Sequence, residues 1–122
     1  MLMKKTVVIV EDEKPIAEAQ RLVLEDEFHV HLAHDGEQGL KTIINVKPDV
    51  VILDWMLPKK NGLEVCKAIR SNASLKHTKV VMVTAKNAQQ DEARGMDFGA
   101  DDYIMKPFEP TELLHVARQV LK

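Results

Sequence analysis

The shortages in this chain narrow its identity before any motif does. A single cysteine, Cys66, rules out an internal disulfide and fits a reducing compartment, so a cytoplasmic location is expected. The formal net charge is only -2, which gives no global attraction to nucleic acid or to an anionic membrane. No apolar run approaches the length of a membrane span. Met1-Leu2-Met3-Lys4-Lys5 begins like a secretion signal, but Glu11-Asp12-Glu13 cuts off the apolar stretch Val7 to Val10 too early. Linkers, repeats and low-complexity stretches are also missing, so residues 1–122 are expected to form one domain. The remainder suits that expectation. A content of 45% hydrophobic and 30% charged residues is ordinary for a globular chain long enough to bury a core.

Apolar runs alternate with helical patterns from end to end. Thr6–Val10, Val50–Leu53 and Val80–Val83 are short, continuously apolar and rich in β-branched residues. Such strands are usually buried on both faces, which implies a parallel sheet covered by helices. His29–Ala33 alternates instead and reads as an edge strand, and Asp102–Met105 reads as the other edge. Helix starts are marked chemically. Pro15 opens a helix over Pro15–Glu27 and Pro110 opens the last one, with Phe108 placed to staple onto Leu113. Asp35-x-x-Gln38, Asn61-x-x-Glu64 and Asn87-x-x-Gln90 have capping-box spacing. They predict helices over 36–45, over 62–71, and from Asn87 to a terminating Gly99. Leu40, Ile43 and Ile44, and then Leu113, Ala117 and Val120, form the expected core stripes. Five strands in strict alternation with five helices, joined by right-handed crossovers, give an α/β doubly wound fold. The order 2-1-3-4-5 fits, with the polar-faced second strand and the short fifth strand at the edges.

That topology gathers the chemistry. In a parallel sheet all carboxyl ends share one edge, where ligands bind. Glu11 and Asp12 follow the first strand, Asp54 ends the third, Thr84 ends the fourth and Lys106 follows the fifth. Two carboxylates about 4 Å apart repel by roughly 4 kcal/mol at an effective dielectric near 20. One lysine does not offset three such pairs, so a carboxylate takes a proton or a cation sits among them. With oxygen donors and no His or Cys in the cluster, Mg²⁺ is the expected cation. Asp54, held on a rigid strand end, is the candidate nucleophile for a phosphoryl group. A hydroxyl from Thr84 and the ammonium of Lys106 suit the phosphoryl oxygens. Each residue alone has a bland alternative, as a surface acid, a strand threonine or a solvated lysine.

Together these residues resemble the receiver domains of two-component response regulators. The likeness runs through VVIVEDE (7–13), VVILDWMLPKKNGLEV (50–65), VVMVTA (80–85) and GADDYIMKPF (99–108). It implies the flavodoxin-like form of the fold, and phosphoryl transfer to Asp54 from a sensor histidine kinase, a phosphotransfer protein or a small phosphodonor. It implies Mg²⁺ held by Asp12, Asp54 and the main-chain carbonyl of Met56, with Glu11 acting mainly through water. Thr84 and Lys106 would hold the phosphoryl oxygens. Tyr103 would swing inward with Thr84, and the signal would surface on the face from Gln89 to Leu121, toward a downstream output domain or protein. ILDWMLPKKNG (52–62) and GADDYIMKPF look like receivers attached to winged-helix DNA-binding domains. Such receivers often dimerise on phosphorylation through paired charges, but Glu92 and His115 stand where basic residues are expected. Lys86, beside Thr84, is positioned to tune the lifetime of the phosphoryl group.

The expected product is a signalling phosphoacceptor that turns over no external metabolite. A phosphatase of the haloacid dehalogenase type needs a second Asp two residues after the nucleophile, where Met56 stands. A flavodoxin-like FMN carrier needs a glycine- and hydroxyl-rich phosphate loop where Glu11-Asp12-Glu13 would repel phosphate. A receiver that works without phosphorylation would not need the complete residue set. His29, His31 and His34 are divided between an exposed strand face and a loop, which argues against a metal site. Cys66 reads as a buried apolar residue, Trp55 as a reporter of metal binding beside Asp54, and Glu25-Asp26-Glu27 as a solvated helix end.

Overall fold

Strands that are apolar at every position cannot expose either face, and that requirement sets the architecture. The computed structural model describes residues 4–85 and 99–122. Their elements are β1 (Lys5–Val10), α1 (Lys14–Leu24), β2 (Phe28–Ala33), α2 (Gly36–Val46) and β3 (Val50–Asp54). After these come α3 (Gly62–Arg70), a short 3-10 turn at Ala73–Leu75, β4 (Lys79–Ala85), β5 (Asp102–Lys106) and α4 (Pro110–Gln119). The helix expected between Asn87 and Gly99, with Lys86, Gln89 and Glu92, lies outside the described residues.

The sheet is parallel throughout, in the order β2-β1-β3-β4-β5. This is the doubly wound order expected with the polar-faced second strand and the short fifth strand at the edges, and it has the flavodoxin-like form that the resemblance implies. Side-chain alternation divides the core into two layers. Val8, Val10, Val51, Leu53, Val80 and Met82 pack with Ile43 of α2 and with Val65, Cys66 and Ile69 of α3. Val7, Ile9, Val50, Ile52, Val81, Val83 and Ile104 pack on the other face with Leu24 of α1 and with Leu113 and Ala117 of α4.

Local signals set the helix boundaries. Asn61 Oδ1 accepts from Glu64 N at 2.9 Å, and Glu64 Oε1 accepts from Asn61 N at 3.4 Å, a complete capping box. At α2, Asp35 Oδ1 accepts from Gln38 N at 2.7 Å, but Gln38 Oε1 reaches one residue further back, to His34 N at 2.9 Å. Phe108 packs into the layer that holds Leu113, as the staple requires. Three expectations shift. The first helix ends at Leu24, not Glu27, because Glu25–Glu27 turn into β2. Those acids are not simply solvated: Glu25 pairs with Arg21, and Glu27 pairs with Arg118 of α4. Ile44 is 45% exposed although Ile43 is fully buried, so the core stripe of α2 is narrower than its sequence pattern.

Candidate functional site

The crevice forms where β1 and β3 leave the sheet side by side, at the point where strand order reverses. β1 pairs with β2 on one side and β3 on the other, and Glu11 N continues the ladder by donating to Ala33 O at 3.0 Å. That extra rung carries Glu11 below the surface. It is 1% exposed. Its Oε1 accepts from Lys106 Nζ at 2.8 Å and its Oε2 from Glu13 N at 3.1 Å. Asp12, one residue on, is exposed.

Asp54 is the last residue of β3 and 8% exposed. Both carboxylate oxygens are engaged: Oδ1 accepts from Met56 N at 3.2 Å, and Oδ2 accepts from Lys106 Nζ at 3.0 Å. Gly62 seats the start of α3 against this strand end, donating its N–H to Trp55 O at 2.9 Å. A Cβ at Gly62 would lie 2.5 Å from the Asp54 carbonyl oxygen, so only glycine allows this approach. Trp55 is 9% exposed and packs in the core layer of α2 and α3. Met56 is 72% exposed.

One oxygen from each of Glu11, Asp12 and Asp54 lies within 4.8 Å of the others. This acidic, oxygen-only set can hold a hard cation. Lys106 is the ammonium paired with two of its members. Burial disfavours its charge, but the bonds to Glu11 and Asp54 outweigh that and raise its pKa above the ordinary lysine value. The three carboxylates still outnumber it. Thr84 stands one residue beyond Val83, the register partner of Asp54, and is 1% exposed. Its Oγ1 is buried without a hydrogen-bond partner. Tyr103 is 38% exposed on β5, opposite Met82 in register, on the sheet face away from Ile104.

Sequence reasoning passed over His34 except as a metal ligand. Its Nδ1 donates to the Glu11 carbonyl at 3.1 Å, and Gln38 clamps its backbone, so the pair steadies the turn that carries Glu11 and Asp12. The capping signal at Asp35 located Gln38, but nothing in the sequence pointed from His34 to Glu11. Away from the site, Cys66 is fully buried, and burial pushes its thiol up to about 11. Among the described residues no helix is long and apolar enough to cross a membrane.

The profile of the response regulator receiver domain matches residues 7–118. The response regulator ArlR of Staphylococcus saprophyticus is 43% identical over 117 residues, covering 95% of this chain and 52% of that protein. The transcriptional regulatory protein DltR of Streptococcus agalactiae is 50% identical over 107 residues, covering 87% of this chain and 47% of that protein. The chain thus spans about half the length of these curated relatives. Among solved structures, a putative response regulator from Chloroflexus aurantiacus superposes with a TM-score of 0.92 at 35% identity, with 98% of each chain covered. The chemotaxis response regulator CheY4 of Vibrio cholerae superposes with a TM-score of 0.91 at 30% identity, covering 98% of this chain and 100% of that one. With the profile spanning nearly the whole chain and full-length structural matches at this identity, the chain belongs to the response regulator receiver domains, the phosphorelay signalling modules of two-component systems.

Proposed function

We propose that residues 1–122 act as one receiver in which Asp54 accepts a phosphoryl group from a sensor histidine kinase, a phosphotransfer protein or a small phosphodonor. One observation carries this reading. Lys106 Nζ, 95 residues from Glu11 in sequence, donates at once to Glu11 and to Asp54 at the mouth of an acidic cluster. A carboxylate oxygen of Asp54 attacks phosphorus while the bond to the donor nitrogen or oxygen breaks, and the electron pair leaves with the donor. Met56 N and Lys106 hold the Asp54 carboxylate fixed before attack. As negative charge moves onto the phosphoryl oxygens, Lys106 can transfer one hydrogen bond to them and keep the other on Glu11. The buried, unpartnered Oγ1 of Thr84 supplies a donor that the resting site leaves unused.

The cation in this reading is Mg²⁺, held by Asp12, Asp54 and the main-chain carbonyl of Met56, with Glu11 contributing through water. The close approach of the three carboxylates fits such an ion. When bound, it neutralises charge on the carboxylates and on the phosphoryl oxygens. The phosphoryl adds close to two negative charges and favours the state in which Thr84 and Lys106 close on it. Tyr103 follows Thr84, and the change is read on β5 and α4. The output is a transcriptional or other regulator domain or protein, with a phosphorylation-dependent dimer as one form. The module hydrolyses its own aspartyl phosphate and turns over no external metabolite.

Intact-mass spectrometry after incubation with acetyl phosphate tests the reading. Wild type should gain one phosphoryl group with Mg²⁺ and little with chelator, and Asp54→Asn should gain none. Equal uptake by Asp54→Asn, or full uptake in chelator, would overturn it.

A further inference from the structure

The start of α2 and the turn that follows β3 meet with no room for a side chain between them. Gly36 N donates to Pro58 O at 3.2 Å, and Lys60 N closes the turn on the same carbonyl at 2.8 Å. A Cβ at Gly36 would lie 1.6 Å from the Lys60 carbonyl oxygen and 2.5 Å from its carbonyl carbon. The obstacle is main chain, so no side-chain rotation relieves it, and turn and helix would have to part. Asp35 adds a looser contact between the same two segments, its Oδ2 lying 3.8 Å from Lys59 Nζ.

The seat of α2 on the sheet does not depend on this contact. One turn further on, Gly39 lies against Val10, and Ile43 is fully buried. The turn after β3 is the partner that needs support. Lys59 has a φ of 70°, in the left-handed region that a residue with a Cβ keeps only where its surroundings hold it. At its base the turn is tied to the strand end, with Gly62 N donating to Trp55 O at 2.9 Å. Gly36 holds the flank at Pro58. Met56 lies in the chain between these two anchors, and only Leu57 separates it from Pro58. Its side chain is 72% exposed, so packing does little to fix it. Its main chain nevertheless has work in the site: its N–H bonds Asp54 Oδ1 at 3.2 Å, and its carbonyl belongs to the proposed cation set.

We infer that Gly36 is a positioning residue for the site. By letting the Pro58–Lys60 turn lie directly on the start of α2, it holds the Met56 main chain where Asp54 and the cation need it. This deepens the proposed reading and rests on its Mg²⁺ site, not on the phosphoryl step.

Titration of Mg²⁺ into ¹⁵N-labelled protein, with no phosphodonor present, tests the inference. In wild type the Met56 and Gly36 amides should shift saturably and together. Gly36→Ala should bind Mg²⁺ about 10-fold more weakly, the usual scale for losing a group that orients a metal ligand. Gly39→Ala overpacks the same helix against the Val10 side chain, away from the turn, and should keep the wild-type affinity within about 2-fold. Equal affinity in Gly36→Ala and wild type would overturn the proposal and leave the reading of the site intact. An equal loss in Gly39→Ala would do the same, because any disturbance of α2 would then suffice. A Gly36 amide that Mg²⁺ does not move in wild type would overturn the proposal even where the alanine variant fails to fold. No saturable shift anywhere in wild type would overturn the Mg²⁺ reading and the proposal with it.

Discussion

The two ends of the sheet are built to opposite rules. At the amino edge the polar groups are matched. Arg70 donates Nε to Gly99 O, Nη1 to Thr78 O and Nη2 to Asp101 Oδ2, all within 2.6–2.8 Å. Asp101 Oδ2 also receives Val80 N at 2.7 Å, Thr78 Oγ1 donates to Pro48 O at 2.7 Å, and Asp49 Oδ2 receives Thr6 N at 2.8 Å. At the carboxyl edge three carboxylates meet the Lys106 ammonium, and a buried hydroxyl has no partner. The first arrangement holds strand starts and α3 together. The second leaves unmet demand for positive charge and for an acceptor, and a phosphoryl group with its cation would meet both. On the proposed reading, the amino rim mainly holds the fold and the carboxyl rim receives the phosphoryl group.

Breaking the amino edge should cost the most stability. Arg70→Ala removes three charge-assisted bonds and leaves the Asp101 carboxylate without its counter-charge, held only by Val80 N, so urea denaturation should show a loss of about 3 kcal/mol. Phosphoryl uptake per folded molecule should stay near that of wild type, since Arg70 lies on the other rim. Lys106→Met should have the next largest effect, lowering stability by about 2 kcal/mol at neutral pH and slowing phosphoryl uptake by about 10-fold or more. The pH dependence has a definite sign. The folded-state pKa of Lys106 is raised, so its contribution is complete below the ordinary value of 10.5 and is lost as pH rises through the higher folded value. The stability gap between wild type and Lys106→Met should therefore close only in strong alkali.

A subtler substitution sharpens the contrast. Thr84→Val keeps the shape of the side chain and removes the unpartnered hydroxyl, so the resting protein should gain about 1 kcal/mol. The same variant should lose most of the spectroscopic change that follows phosphorylation, as read by amide shifts on β5 and α4. Cys66 should give the smallest effect near neutrality. The folded thiol ionises near 11 against 9.0 when exposed, so it stabilises the fold below 9.0 and loses that contribution as pH climbs toward 11. At pH 8 it should react with a disulfide reagent only in urea.

The comparison also separates what could be read from the sequence from what could not. Three strand positions and the gathering of Glu11, Asp12, Asp54 and Lys106 followed from continuous apolar runs and one rule of parallel sheets, while the strand order leaned on the polar-faced second strand and the short fifth strand as edges. Such signals are local, and topology makes them global. The depth of Glu11 was hidden because it depends on one extra rung between β1 and β2 beyond the apolar run. Arg70 reads in sequence as a basic residue in a last helical turn, and its three acceptors lie 8, 29 and 31 residues away. Glu27 looked solvated because its partner Arg118 is 91 residues away. Ile44 followed the helical period of a core stripe, yet only Ile43 is fully buried. Pairings between distant side chains leave no periodic trace, whereas a buried strand does.

On the proposed reading, the under-satisfied rim receives a phosphoryl group on one carboxylate, that of Asp54. Reducing the phosphorylated protein with borohydride and mapping the product by peptide sequencing in the mass spectrometer tests it most directly. Modification should fall on residue 54 alone and depend on Mg²⁺. Modification at Asp12, at Glu11 or on the opposite rim, with residue 54 untouched, would contradict it.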